Sequence, residues 1–273
     1  MAPLVDVETL SLFPDLNAGL VDLLSSLSAD EWRRPTVHRD RDVKDLASHL
    51  LDTALRRLAM QRDGWFGPGP EASDWDGLVR FIQRANREWM DAARRLSPRI
   101  LVEWIRRTDE ELLELLRTLP PHGRAIFSVA WAGEAESENW FDVAREYTER
   151  WHHQQQIRDA VGRPGCAEAR FLNPVIATFA RGLPHAYRNV DASVGTAVDV
   201  EVDDVRWTIV RADPGWVLAP PSVHAAATVA LSGSDAWRLW TKGMSAAEAR
   251  TRARSAGPDA LVDPVFSFVA IMA

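Results

Sequence analysis

A chain of 273 residues, 46% hydrophobic and 26% charged, can bury one large core or two modest ones and is too mixed for a disordered or membrane-embedded polypeptide. Its net charge of -7 argues against the dense cationic surface that nucleic acid needs. The single cysteine, Cys166, excludes an internal disulfide, a Cys-x-x-Cys redox pair and a thiolate zinc cage, so any metal must be held by histidine and carboxylate. With no signal-like N-terminus and no run of about 18 apolar residues, a cytoplasmic protein without a membrane span is expected.

The first helix is expected over residues 13–27, where Leu16, Leu20, Leu23, Leu24 and Leu27 recur at helical spacing. Residues 28–32 form a short turn that Pro35 ends. A second helix over 43–61 carries the stripe Val43, Leu46, Ala47, Leu50, Ala54 and Leu58, with Asp45, His49, Asp52 and Arg56 on another face. After the Gly/Pro loop 64–70, a third helix is expected over 73–96, and a fourth from Pro98 until Pro120-Pro121 ends it. Residues 123–136 read as an extended but apolar loop, followed by a long helix over 139–161.

Gly162, Pro164 and Gly165 mark a boundary, giving expected domains at 1–162 and 166–273. Beyond it the pattern predicts one helix over 174–188, then strands at 196–201, 206–211, 215–219 and 226–231. Ser234-Asp235 and Ser245 are expected to cap two helices, and an apolar helix is expected over 258–272. The fold class is therefore an α-helical bundle followed by a small α+β domain. Twelve tryptophans against two tyrosines suit a thick apolar core better than an aromatic-lined pocket.

One stretch of the fifth helix carries chemistry. Glu146, Glu149 and His153 fall within roughly 60° of one another on one helical face, and Glu149 and His153 are an i, i+4 pair able to offer an oxygen and a nitrogen to one divalent ion. His49, off the apolar seam of the second helix, is the natural third ligand. Spacing leaves two readings open: both polar faces meet water, or both converge on a polar cavity. His152 sits about 100° from His153 and is a surface group or an alternative ligand. Asp45 and Asp52 flank His49 and either accept its second ring proton or pair with arginine at the surface. His38, His122, His185 and His224 are isolated in the sequence and receive no function.

Two motifs resemble a known family. The run Val43-Lys44-Asp45-Leu46-Ala47-Ser48-His49-Leu50-Leu51-Asp52, preceded by Trp32 and Arg34-Pro35-Thr36, resembles the second-helix motif of the mycothiol-dependent maleylpyruvate isomerase family, within the DinB-like metalloprotein superfamily. Residues 144–154 resemble that family's second metal motif, and the tail resembles the sterol-carrier-protein-like domain of many members. The resemblance implies a DinB-like four-helix bundle, a divalent ion, often zinc, on His49, Glu149 and His153, and mycothiol as the low-molecular-weight thiol. Conjugate addition of the thiol to a small electrophile would then lead to cis-trans isomerisation or S-transfer. Glu146 is a candidate to orient a ligand or to serve as acid/base, and Arg238 and Lys242 are candidates for a substrate carboxylate. The partners implied are the electrophile and the thiol, with the chain a monomer or homodimer. Two rival readings are a thiol-independent metal-dependent hydrolase or lyase, and a non-catalytic small-ligand-binding module.

Overall fold

A computed structural model of the chain describes residues 5–38, 40–70, 74–220 and 224–271. After a 3-10 turn at Leu10–Leu12, the N-terminal region is helical: α1 (Phe13–Ser25), α2 (Val43–Arg57), α3 (Trp75–Ala93), α4 (Pro98–Arg117) and α5 (Asn139–Val161). Helices α1, α2, α4 and α5 pack against one another, and α3 lies outside them against α2. Each start has a local cause. In α2, Asp42 accepts from Asp45 N while Asp45 accepts from Asp42 N, a reciprocal capping box. Asp74 and Ser97 cap α3 and α4 in the same sense. The expected start of the third helix at Ser73 lies outside the described residues. At the far end of α5 the chain turns through the left-handed region at Gly162 (φ 68°), which glycine adopts without a Cβ clash.

The C-terminal region is a small mixed sheet with helices. It comprises α6 (Ala169–Ala180), α7 (Leu183–Ala186), β1 (Ala197–Val202), β2 (Val205–Arg211), β3 (Trp216–Ala219), β4 (Ala227–Leu231), α8 (Gly233–Trp240), α9 (Ala246–Arg252), β5 (Arg254–Ala256) and α10 (Asp259–Ser267). The sheet order is β3-β2-β1-β4-β5, with β1 and β4 parallel and the other pairs antiparallel. Helix α10 packs on the central strands β1 and β4.

Several expected elements shift. The single helix expected over 174–188 is two: α6 begins upstream of Pro174 and carries it internally, and the chain breaks at Gly182 before α7. The proline read as a start sits inside a helix whose buried face, Phe171, Val175, Ile176 and Phe179, holds it against the core. Ser232, not Ser234, caps α8, its hydroxyl accepting from Asp235 N. Strand β5 has no sequence signal because Arg254, Ser255 and Ala256 are all exposed on the sheet edge. The last helix ends at Ser267, and its expected end at Met272 lies outside the described residues.

Two apolar clusters hold the structure. One belongs to the helical region and includes Leu20, Leu46, Leu50, Ile105 and Ile157. The other crosses the expected boundary, joining Phe13, Leu116, Tyr147 and Trp151 to Phe179, Val200, Trp237 and Val265. Buried tryptophans serve this core and satisfy their N–H groups within it: Trp151 donates to Cys166 O (2.7 Å) and Trp240 to Val265 O (3.1 Å). Gly182 sits where the regions meet. A Cβ there would lie 2.7 Å from Phe268 Cζ and 2.8 Å from Trp131 Cζ3, both rings being buried. We expect Gly182→Ala to cost about 1–3 kcal/mol in urea unfolding, the range for overpacking a filled core. No described helix is long and apolar enough to cross a membrane.

Candidate metal centre

Helix α5 is buried nearly all round. Every residue from 141 to 158 is buried except Arg145 and Glu149. Polar groups in such a helix must find partners inside the protein. Asp142 meets Arg57 Nη2 (2.6 Å) and Arg145 Nη2 (2.7 Å), Arg150 meets Asp109, and Arg158 donates to Gly19 O (2.9 Å). The polar face expected to meet either water or a cavity therefore turns inward, and α2 brings His49 to it.

His49 Nε2 lies 3.2 Å from Glu149 Oε1, and His153 Nε2 lies 3.1 Å from the same oxygen. The two imidazoles are 4.9 Å apart and nearly perpendicular (87°). One donor atom from each of the three residues falls within 4.8 Å of the others, the one such His/Cys/Asp/Glu group among the described residues. Behind His153, Nδ1 lies 2.8 Å from Gln156 Oε1, so Nδ1 carries a proton and donates it. His153 Nε2 then faces the Glu149 carboxylate either as a second N–H or as a bare lone pair. The cluster is thus built to enclose positive charge, as a proton or as a cation.

A divalent ion fits this donor set. Four-coordinate zinc with ligands at about 2.0–2.1 Å separates neighbouring ligand atoms by about 3.3 Å, close to the two oxygen–nitrogen distances, while the three donor atoms together lie within 4.8 Å, so the imidazoles would draw together on an ion. Burial and the neighbouring His153 hold the His49 pKa down to about 4, against the raising effect of the Glu149 hydrogen bond, so its imidazole is neutral as a ligand must be. Burial pushes the Glu149 carboxyl up, but the charge on His153 and hydrogen bonds from both histidines outweigh it and hold the group well below its ordinary value.

The remaining residues sort by contact. Glu146, one turn before Glu149, is 3% exposed; burial raises its pKa and its Oε1 has no hydrogen-bond partner among the described residues. His152 is buried rather than at the surface, its Nδ1 donating to Thr148 O (2.8 Å) and its ring 4.0 Å from that of His153, and it is not one of the three grouped donors. Neither aspartate reaches His49: Asp45 closes the capping box and meets Arg94, Asp52 pairs with Arg56, and His49 Nδ1 has no hydrogen-bond partner among the described residues. Arg238 stacks over Trp237 and binds Asp159 of α5 through two of its nitrogens, Nη2 (2.7 Å) and Nε (3.2 Å), so meeting a substrate would require Asp159 to release it. Lys242, just past α8 with φ 61°, is close enough for its charge to lower the His38 pKa.

Three further residues meet the centre: Gln156 and Arg145, which the sequence did not single out, and His38, to which it gave no function. Gln156 lies three positions after His153, a helical spacing that could have flagged it. Arg145, four before Glu149, shares its stripe. His38, in the loop before α2, had no signal at all, since only folding brings it to Gln156 (3.3 Å).

Fold and site together define a class: a helical bundle presenting a buried His/Glu/His centre from its second and fifth helices, joined to a small mixed sheet region. The model of the mycothiol maleylpyruvate isomerase N-terminal domain matches residues 13–158, more than half of the chain, and the chain belongs to that family. Among solved structures, it is similar to a mycothiol-dependent maleylpyruvate isomerase, with 13% identity, a TM-score of 0.53 and coverage of 84% of this chain and 86% of that one. A histidine-to-alanine mutant of that isomerase aligns with the same identity and coverage at a TM-score of 0.52. No curated protein matches significantly.

Proposed function

We propose that this chain is an isomerase or S-transferase that uses mycothiol on a small electrophile, with a divalent ion, zinc by its donor set, held by His49, Glu149 and His153. The observation that carries this reading is the convergence of those three side chains, within a chain of this family, on a buried pocket of donors that needs positive charge. When bound, such an ion lowers the pKa of a thiol and polarises a carbonyl.

The chain's own residues do the rest. Between 141 and 158 the bundle buries every residue of α5 except Arg145 and Glu149, whose side chains are 22% and 25% exposed, so the centre meets solvent on that side. Arg145 remains charged there because Asp142, and beyond it Glu146, outweigh its desolvation. Arg57 and Arg145 share the carboxylate of Asp142, Arg145 also lies 3.9 Å from Glu146 Oε2, and burial pushes the Glu146 pKa up. Arg145, partly exposed beside Glu149, is the group we assign as anchor for an anionic electrophile, and Glu146, a buried carboxyl whose pKa is raised, as a proton donor.

The test is turnover of maleylpyruvate and other small electrophiles with and without mycothiol, followed by ultraviolet absorbance; turnover that does not need the thiol, or none with any of them, would sink the reading. In the active protein, Arg145→Gln is expected to lower kcat/KM about 10- to 100-fold, matching the ~1.5–3 kcal/mol of a hydrogen bond to a charged group, with metal content unchanged.

A further inference from the structure

We infer that Gln156 is a positioning residue for the metal centre and that His38 locks its amide in the working orientation. The inference rests on the reading that His49, Glu149 and His153 hold an ion.

A carboxamide carries an acceptor on one side and donors on the other. Gln156 is buried, its Oε1 2.8 Å from His153 Nδ1 and its Nε2 3.3 Å from His38 Nε2. In this orientation Nδ1 of His153 is the nitrogen that donates, which leaves Nε2, the atom facing Glu149, as the one that can offer a lone pair to a cation. Turned over, the amide would donate to Nδ1, and the proton would move to Nε2 and block the ligand atom. Gln156 alone has no preference between the two.

His38 supplies the preference. Burial, together with the charge of Arg41, holds its pKa near 4, so the ring is neutral and its Nε2 can accept from the amide. The loop around it is strapped in place: Pro35 bridges Asp42, His38 N donates to Thr36 Oγ1 (3.2 Å), and Thr36 Oγ1 donates to Arg41 O (2.9 Å). A two-rung ladder therefore runs from this loop through Gln156 to His153. His49 has no counterpart, since its Nδ1 lacks a partner among the described residues. Of the two imidazoles, only His153 is oriented from behind, and the centre's affinity depends on that one support.

Zinc affinity, measured by competition with a chromophoric chelator, reads this out directly without any turnover. Gln156→Leu keeps the volume and removes both rungs, and zinc should bind about 10- to 100-fold more weakly. Gln156→Glu keeps an acceptor behind Nδ1 and should retain wild-type affinity or exceed it. His38→Phe, which leaves Gln156 in place but unlocked, should give a smaller loss than Gln156→Leu. Circular dichroism melts of the zinc-free variants confirm that each is folded. Unchanged affinity in Gln156→Leu, or equal losses in the Leu and Glu variants, overturns the positioning role, and unchanged affinity in His38→Phe overturns the lock. Wild-type protein that binds no zinc overturns the metal reading itself, a result distinct from tight binding that ignores Gln156.

Discussion

His49→Ala and His153→Ala are each expected to purify without a stoichiometric divalent ion and to lose activity. Each removes one of three donors grouped within 4.8 Å. Losing a hydrogen bond behind a ligand already weakens such centres about 10- to 100-fold, so losing the ligand itself should exceed about 100-fold. Elemental analysis of the purified protein measures the content. A thermal melt gives an independent readout, because an ion that binds only the native state at about 100 times its Kd adds ~2.7 kcal/mol. Added zinc should therefore raise the Tm of the wild type and leave that of either variant unmoved. If the ion content of both variants matches the wild type, the assignment of the centre is wrong.

The second large effect concerns Asp142. This carboxylate is fully buried and holds Arg57 at 2.6 Å and Arg145 at 2.7 Å. Arg57 is itself 2% exposed, with the Phe127 ring centroid 5.6 Å away and Gln61 on its Nε. Asp142→Ala leaves a buried guanidinium without its counter-charge, and such a break costs about 3–5 kcal/mol. Urea unfolding should show that loss, and Asp142→Asn, which keeps the shape, should lose stability in the same direction. The acid limb carries the same signature. Burial raises the Asp142 pKa, but Arg145 and Arg57 outweigh it and hold the group below its ordinary 3.8. A depressed native pKa means that this contribution is complete above the unfolded value and is lost as pH falls through the lower native one. The wild type should therefore lose stability below about pH 4 more steeply than Asp142→Asn, whose residue 142 no longer titrates.

The helices and most of the sheet were legible because their signals are local. Apolar residues at helical spacing, the capping box of Asp42 and Asp45, and the glycines at 162 and 165 act within a few residues of one another. The elements misread were those whose cause lies elsewhere. Pro174 is carried inside α6 by the apolar face that packs on α5, and β5 exists because β4 offers an edge to pair with. The parallel pairing of β1 with β4 likewise joins segments with no sequence cue that names each other.

At the centre the division falls between direction and depth. Helical phase alone placed Glu146, Glu149 and His153 on one side of α5, because residues three, four and seven apart must share a face. Whether that side met water or protein was beyond such reasoning, since a stripe of charge looks the same in both cases. Packing against α2 and the C-terminal region buried it, brought His49 to within 3.2 Å of Glu149, and turned ordinary polar residues into groups that must satisfy one another. The same burial recruited His38 across 118 positions of sequence, a contact that only a folded chain can make.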